Sequence, residues 1–150
     1  MNAPDVPAAW QAALAAEHQA AFGYGLLGPH LRGTALALAV ECSDAHEALR
    51  DATEQELAAA GQPPVPPEAD YPQLYPVPGA AAAGKLAARL EDDCAAAWRF
   101  LYAATAAAGS APPAGLRAAA QEALTASAVR AARWRRLIDP AHATTPFPGV

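Results

Sequence analysis

The sequence predicts an all-α protein built as a four-helix bundle. Three observations lead there. Alanine, the strongest helix former, supplies 45 of the 150 residues, while strand formers are scarce. The hydrophobic fraction is 53%, too high for a disordered chain and enough to fill one core at this length. Glycine and proline then cut the chain into four long alanine-rich runs, and seven of the fifteen prolines fall in residues 62–79.

Each run has its own boundary signals. Asp5 followed by Pro7 reads as an N-cap with an early proline, opening a first helix over about 6–32. Gly33-Thr34 restarts the pattern, and Gly61 closes a second helix over about 34–61. A third fills about 80–108 and stops at Gly109-Ser110. Pro112-Pro113 opens a fourth over about 112–138, and the tail 139–150 is irregular. The whole of 1–150 reads as one domain.

The connections set the topology. Short links join helices 1 and 2, and helices 3 and 4, which makes two antiparallel hairpins. The 62–79 link is long. A helix of this length measures ~39 Å, and eighteen extended residues reach ~60 Å. The link can therefore cross the bundle, with Tyr71, Leu74, Tyr75 and Val77 as docking residues. Two hairpins joined by a long Pro-rich crossover is the ferritin-like arrangement.

Helical spacing places ionisable residues on every core seam. Helix 1 reads Trp10, Leu14, Glu17, Ala21, Tyr24, Gly28. Helix 2 reads Leu36, Ala39, Ser43, His46, Arg50, Thr53, Leu57. Helix 3 reads Ala87, Glu91, Cys94, Trp98, Leu101, and helix 4 reads Leu116, Ala120, Ala123, Ser127, Arg130, Trp134, Leu137. Counting from the two turns puts Glu17 level with Arg50, and Glu91 level with Arg130, with His46 between. A buried carboxylate needs a partner. The expectation is a core polar cluster of Glu17, Tyr24, His46, Arg50, Glu91 and Arg130, paired as Glu17–Arg50 and Glu91–Arg130 with His46 bridging.

Carboxylates inside a bundle raise the question of a two-metal centre. Such sites take a Glu from each of two helices and a Glu-x-x-His from each of the other two. Glu17 and Glu91 fit the first half. Ser43 stands where the acid of helix 2 belongs, helix 4 has no histidine, and its only acid, Glu122, lies off the seam. The one acid-x-x-His, Asp139 to His142, falls in the tail. Arginines in the same space repel a cation. No metal, no cofactor and no catalytic residue is expected.

Charge and composition bound the rest. The net charge of −5 argues against nucleic acid and anionic membrane as partners. Arg130, Arg133, Arg135 and Arg136 crowd one segment, read here as cations favoured at a helix C-terminus beside Glu41 and Asp44. No apolar run is long enough to span a membrane. MNAPDVPAAW lacks the basic start of a signal peptide. Cys42 and Cys94 read as buried small hydrophobes; two cysteines cannot form a disulfide framework, and cytoplasmic residence is the default. Phe22, Leu26, Leu27, Leu38 and Val40 lie off the seams and suggest a homodimer contact, and Phe147-Pro148 should dock on the bundle.

The stretches AAWQAALAAEHQAAFGYGLLG (8–28), DAHEALRD (44–51), LEDDCAAAWR (90–99) and AVRAARWRR (128–136), with the closing FPG (147–149), resemble small bacterial ferritin-like domains of unknown function. Glu17, His18, Phe22, Gly23, Tyr24 and Gly25 carry the most specific part, while Glu47 is acidic where the family's pattern is more basic. The resemblance implies a ferritin-like bundle with no established activity. The sequence thus reads as a non-catalytic structural or binding module whose two-metal site has become a Glu/Arg/His cluster. The alternative is a carboxylate-bridged metal protein, an oxidase or a metal handler.

Overall fold

The computed structural model describes residues 5–108 and 111–150. Helix α1 spans Val6–Leu27, α2 Gly33–Ala59, α3 Ala80–Ala107 and α4 Leu116–Ile138. No strand occurs among the described residues. The chain is an all-α four-helix bundle.

Three helix ends differ from the sequence expectation. α1 stops at Leu27 rather than near 32, because Pro29 has no N–H to continue the ladder and Gly28–His30 tighten into a 3₁₀ turn. α2 ends at Ala59, and Gly61 takes φ +73° just beyond it. The Gln62 and Gly61 N–H groups then bond back to the Leu57 and Ala58 carbonyls at 2.9 and 3.0 Å. That left-handed closure favours glycine. α4 starts at Leu116 rather than 112, since Pro113 accepts the Leu116 N–H in a tight turn at 3.1 Å. Asp5 is the α1 N-cap residue, yet its side chain makes no capping bond. The expected stop of α3 at Gly109-Ser110 lies outside the described residues.

Cross-helix pairs fix the directions. Glu17 meets Trp98 and Tyr24 meets Glu91, so α1 and α3 run antiparallel. Tyr102 meets Arg117 and Glu91 meets Arg130, so α3 and α4 do too. The crossover runs alongside α1 in the same direction. Gln11 clamps the Pro63 carbonyl and the Val65 N–H, both at 2.8 Å. Further along, Tyr71 packs on Phe22 with ring centroids 5.1 Å apart, and Leu74 is buried over Gly23. α3 therefore begins at the end of the bundle where α2 began. Tyr71 and Leu74 dock as expected, whereas Tyr75 is half exposed.

The core has two apolar halves. One gathers Leu27, Leu38, Leu74, Leu90 and Trp134. The other gathers Trp10, Leu14, Leu57, Trp98 and Leu101. Buried Glu17, His46, Glu91 and Ser127 lie level with one another along the bundle, in a polar layer. Leu27 and Leu38, expected at a homodimer contact, are buried in the core, and Phe22 and Leu26 pack against it. Helix pairing consumed that surplus, and of the five only Val40 is exposed. The tail also departs from expectation. Phe147 is 75% exposed rather than docked. The tail seats by backbone instead: a Cβ on Gly149 would come within 2.8 Å of the Ala95 carbonyl oxygen.

Candidate functional site

The register that builds the apolar seams also aims one polar side chain inward from each helix. Glu17 comes from α1, His46 from α2, Glu91 from α3 and Arg130 from α4. Glu17, His46 and Glu91 are wholly buried. Their partners come from the other seams. His46 Nδ1 lies 2.6 Å from Glu17 Oε2, and His46 Nε2 lies 2.9 Å from Glu91 Oε1. Trp98 Nε1 donates to Glu17 Oε1 at 2.7 Å. Tyr24 donates to Glu91 Oε1 at 2.6 Å and accepts from Trp134 Nε1 at 2.9 Å. Arg130 Nε donates to Glu91 Oε2 at 3.0 Å, and another of its guanidinium nitrogens donates to Ser127 Oγ at 3.2 Å. The Tyr24 and His46 rings stack at 5.5 Å.

This geometry favours a charged layer. An ionised carboxylate only accepts hydrogen bonds. Both nitrogens of His46 face carboxylate oxygens, so with Glu17 and Glu91 ionised both carry protons and the ring is an imidazolium. Burial alone would lower its pKa, but the bonds to Glu17 and Glu91 outweigh that and raise it to about 9. Burial pushes Glu91 upward, yet His46, Arg130 and Tyr24 together hold it below its usual value. Two carboxylates and two cations make the layer neutral. Desolvation beside Glu91 drives the Tyr24 hydroxyl far above its ordinary pKa, so it stays a donor. Burial raises the Cys42 thiol to about 11 and lifts Cys94 as well.

Five of the six residues expected in the cluster come together: Glu17, Tyr24, His46, Glu91 and Arg130. Arg50 does not. It lies one turn beyond His46, bonds Asp51 Oδ1 at 2.9 and 2.8 Å, and keeps 28% of its side chain in solvent. His46 holds the place facing Glu17, so Arg50 avoids desolvation. Trp98, Trp134 and Ser127 were on the seams, but only as packing residues. His18 is a further buried group, 2.9 Å from the Val65 carbonyl oxygen, and fixes the crossover rather than the layer. The arginine crowd at the end of α4 is largely neutralised: besides Arg130, Arg133 pairs with Glu41 and Arg135 with Asp92.

A two-metal carboxylate centre does not fit these residues. The positions of its two Glu-x-x-His motifs hold Ser43-x-x-His46 on α2 and Ser127-x-x-Arg130 on α4. Two acids and one histidine are missing, and a guanidinium fills the space. A smaller donor set does exist: Glu17, His46 and Cys94 each offer one ligand atom, all within 4.8 Å of one another. Elsewhere, a cavity of about 420 Å³ lies between α3, α4 and the tail, lined by Leu124, Val129, Ala132, Arg135, Thr145 and Pro148. It does not open onto the polar layer. Among the described residues no helix is long and apolar enough to cross a membrane.

Fold and layer together define a small helical-bundle protein with an ion-paired core. Residues 9–150 match the family described as "Domain of unknown function (DUF4439)", and the chain belongs to that family. Among solved structures it is similar to a conserved hypothetical protein, rv2844, from Mycobacterium tuberculosis, at 35% identity and a TM-score of 0.79. That match covers 88% of this chain and 96% of the other. No curated protein matches the chain.

Proposed function

We propose that the chain is a ferritin-like module that has exchanged a two-metal centre for an internal salt-bridge layer, and that it serves as a structural or binding unit rather than a catalyst. The observation that carries this reading is the substitution pattern at the ligand positions: Glu17, Ser43-x-x-His46, Glu91 and Ser127-x-x-Arg130. Two acids are kept where the arrangement needs single acids. The other two acids have become serines, and a histidine has become arginine. The long crossover supports the same relationship. Each retained acid also spends an oxygen on a residue outside the two-metal arrangement, Trp98 for Glu17 and Tyr24 for Glu91. Cytoplasmic residence belongs to the proposal, in line with two buried, unbridged cysteines. Nucleic acid is not the partner we propose, because three of the four clustered arginines already face acids.

The test is metal analysis of untagged protein with an Fe(II) oxidation assay. Neither iron nor manganese should co-purify at two ions per chain, and Fe(II) should oxidise no faster than in buffer. The triple variant Ser43→Glu, Ser127→Glu, Arg130→His restores the missing donors and should gain binding of such ions. Two redox-active ions in the unaltered chain, lost on Glu17→Ala, would overturn the proposal.

A further inference from the structure

The polar layer contains an arrangement that its ion pairs do not exhaust. Glu17, His46 and Cys94 come from three different helices, are wholly buried, and bring one donor atom each within 4.8 Å of the other two. The Cys94 thiol makes a long contact to the Ala16 carbonyl oxygen, at 3.5 Å, and lies beside the Glu17 carboxylate. The surrounding bonds orient two of these three side chains. Metal-bound histidines usually give their second ring N–H to a carboxylate, which fixes the tautomer and the ring. His46 Nε2 already points at Glu91 Oε1 at 2.9 Å, and Glu91 is itself held by Tyr24 and Arg130. His46 Nδ1 is left facing the other donors. Glu17 is oriented the same way, with Oε1 bonded to Trp98 and Oε2 turned to Nδ1. Arg130 faces Glu91, not the donor set, so its charge is answered by a residue that would not ligate.

We propose that Glu17, His46 and Cys94 form a site for a single zinc-class divalent ion. Binding replaces the Nδ1 proton of His46 and the thiol proton of Cys94 by bonds from nitrogen and sulfur to the metal. Two protons leave and two positive charges enter. The layer is therefore neutral before and after, and no buried charge is created. The donor set decides the class of ion. One carboxylate oxygen, one imidazole nitrogen and one thiolate suit zinc, whereas magnesium, calcium and manganese prefer all-oxygen shells. Three protein donors leave one position for a further ligand. The inference goes beyond the proposed function and is compatible with it, since a single thiolate-bound ion is not the two-metal carboxylate centre.

The test uses the full chain, stripped with chelator and titrated with Co(II) as a coloured stand-in for zinc. We expect one cobalt per chain, a thiolate-to-cobalt charge-transfer band in the near ultraviolet, and displacement by zinc. Cys42→Ala removes the other buried thiol and should leave the band intact. Cys94→Ala should abolish it and weaken binding by roughly tenfold or more, with circular dichroism confirming that the helices remain. A folded wild-type chain that gives no thiolate band and binds fewer than two ions overturns the inference and leaves the proposed function standing. A band that survives Cys94→Ala also overturns it. Two ions per chain with no thiolate band would overturn both readings.

Discussion

Replacing Arg130 by methionine removes one cation from a layer whose charges otherwise cancel. Glu91 is wholly buried, and its Oε2 depends on Arg130 Nε at 3.0 Å. Breaking a buried pair by deleting one partner costs about 3–5 kcal/mol. Glu91 keeps its bonds to Tyr24 and His46, which places the loss near the lower end, about 3 kcal/mol. For a chain of this size that lowers Tm by roughly 6–12 °C. Urea melts followed by helical circular dichroism measure it. Adding Glu91→Gln should recover about 2 kcal/mol. It removes the stranded charge, while its amide oxygen still accepts from Tyr24 and His46. Glu17 and the His46 imidazolium then balance alone. Glu91→Leu in its place should recover less, because Tyr24 and His46 lose their acceptor. A loss below about 1 kcal/mol for Arg130→Met, or a double variant no more stable than the single, would refute the counting of charges in this layer.

Stability of the metal-free chain should fall at alkaline pH. The His46 pKa is raised from its ordinary 6.5 to about 9, so its contribution is complete below 6.5 and is lost as pH climbs to about 9. The raised thiols of Cys42 and Cys94 act in the same direction above their ordinary 9. Glu91 acts oppositely: its contribution is present above the ordinary 4.5 and fades as pH falls through its lower folded value. Urea midpoints that stay level or rise between pH 6.5 and 9 contradict this reading of His46. Two glycines of α1 should separate by surroundings alone. A Cβ on Gly23 would lie 2.6 Å from a Leu90 methyl, whereas one on Gly25 meets nothing within 4 Å. Gly23→Ala should destabilise by about 1–2 kcal/mol and Gly25→Ala should stabilise by about 0.5–1 kcal/mol, and equal thermal shifts would contradict the close fit at Gly23.

Periodicity made the layer legible. Glu17, His46, Glu91 and Arg130 sit on seams filled largely by alanine, leucine and tryptophan, at the four-and-three spacing of one packed face. Height counting then matched Glu91 with Arg130 correctly and Glu17 with Arg50 wrongly. Distance along an axis says nothing about azimuth, and Arg50 had a solvated partner next door in Asp51. The tryptophans were harder to read. Trp98 and Trp134 enter a pattern as apolar volume, yet each spends its single N–H on the layer. The long crossover could be read from proline density and reach. The clamp that holds it, Gln11 on Pro63 and Val65, could not, because a lone glutamine on a helix carries no pattern. Phe147 was misread for the opposite reason. Hydrophobicity suggested docking, but Gly149 makes the close approach to α3, and the aromatic ring is left outside.

Each helical hairpin contains its own acid and its own cation: Glu17 with His46 in the first, Glu91 with Arg130 in the second. Either half is therefore electrically complete before it meets the other. What the halves bring to their shared interior is two closed dipoles rather than two bare ions, and dipoles shed water far more cheaply. The four bonds of the layer that cross the seam, His46 to Glu91, Tyr24 to Glu91, Trp98 to Glu17 and Trp134 to Tyr24, then act as a recognition code between half-molecules. In this respect the chain behaves as a pair of protomers fused by a tether, with the specificity of their pairing written in polar contacts and the adhesion supplied by the alanine-rich faces around them.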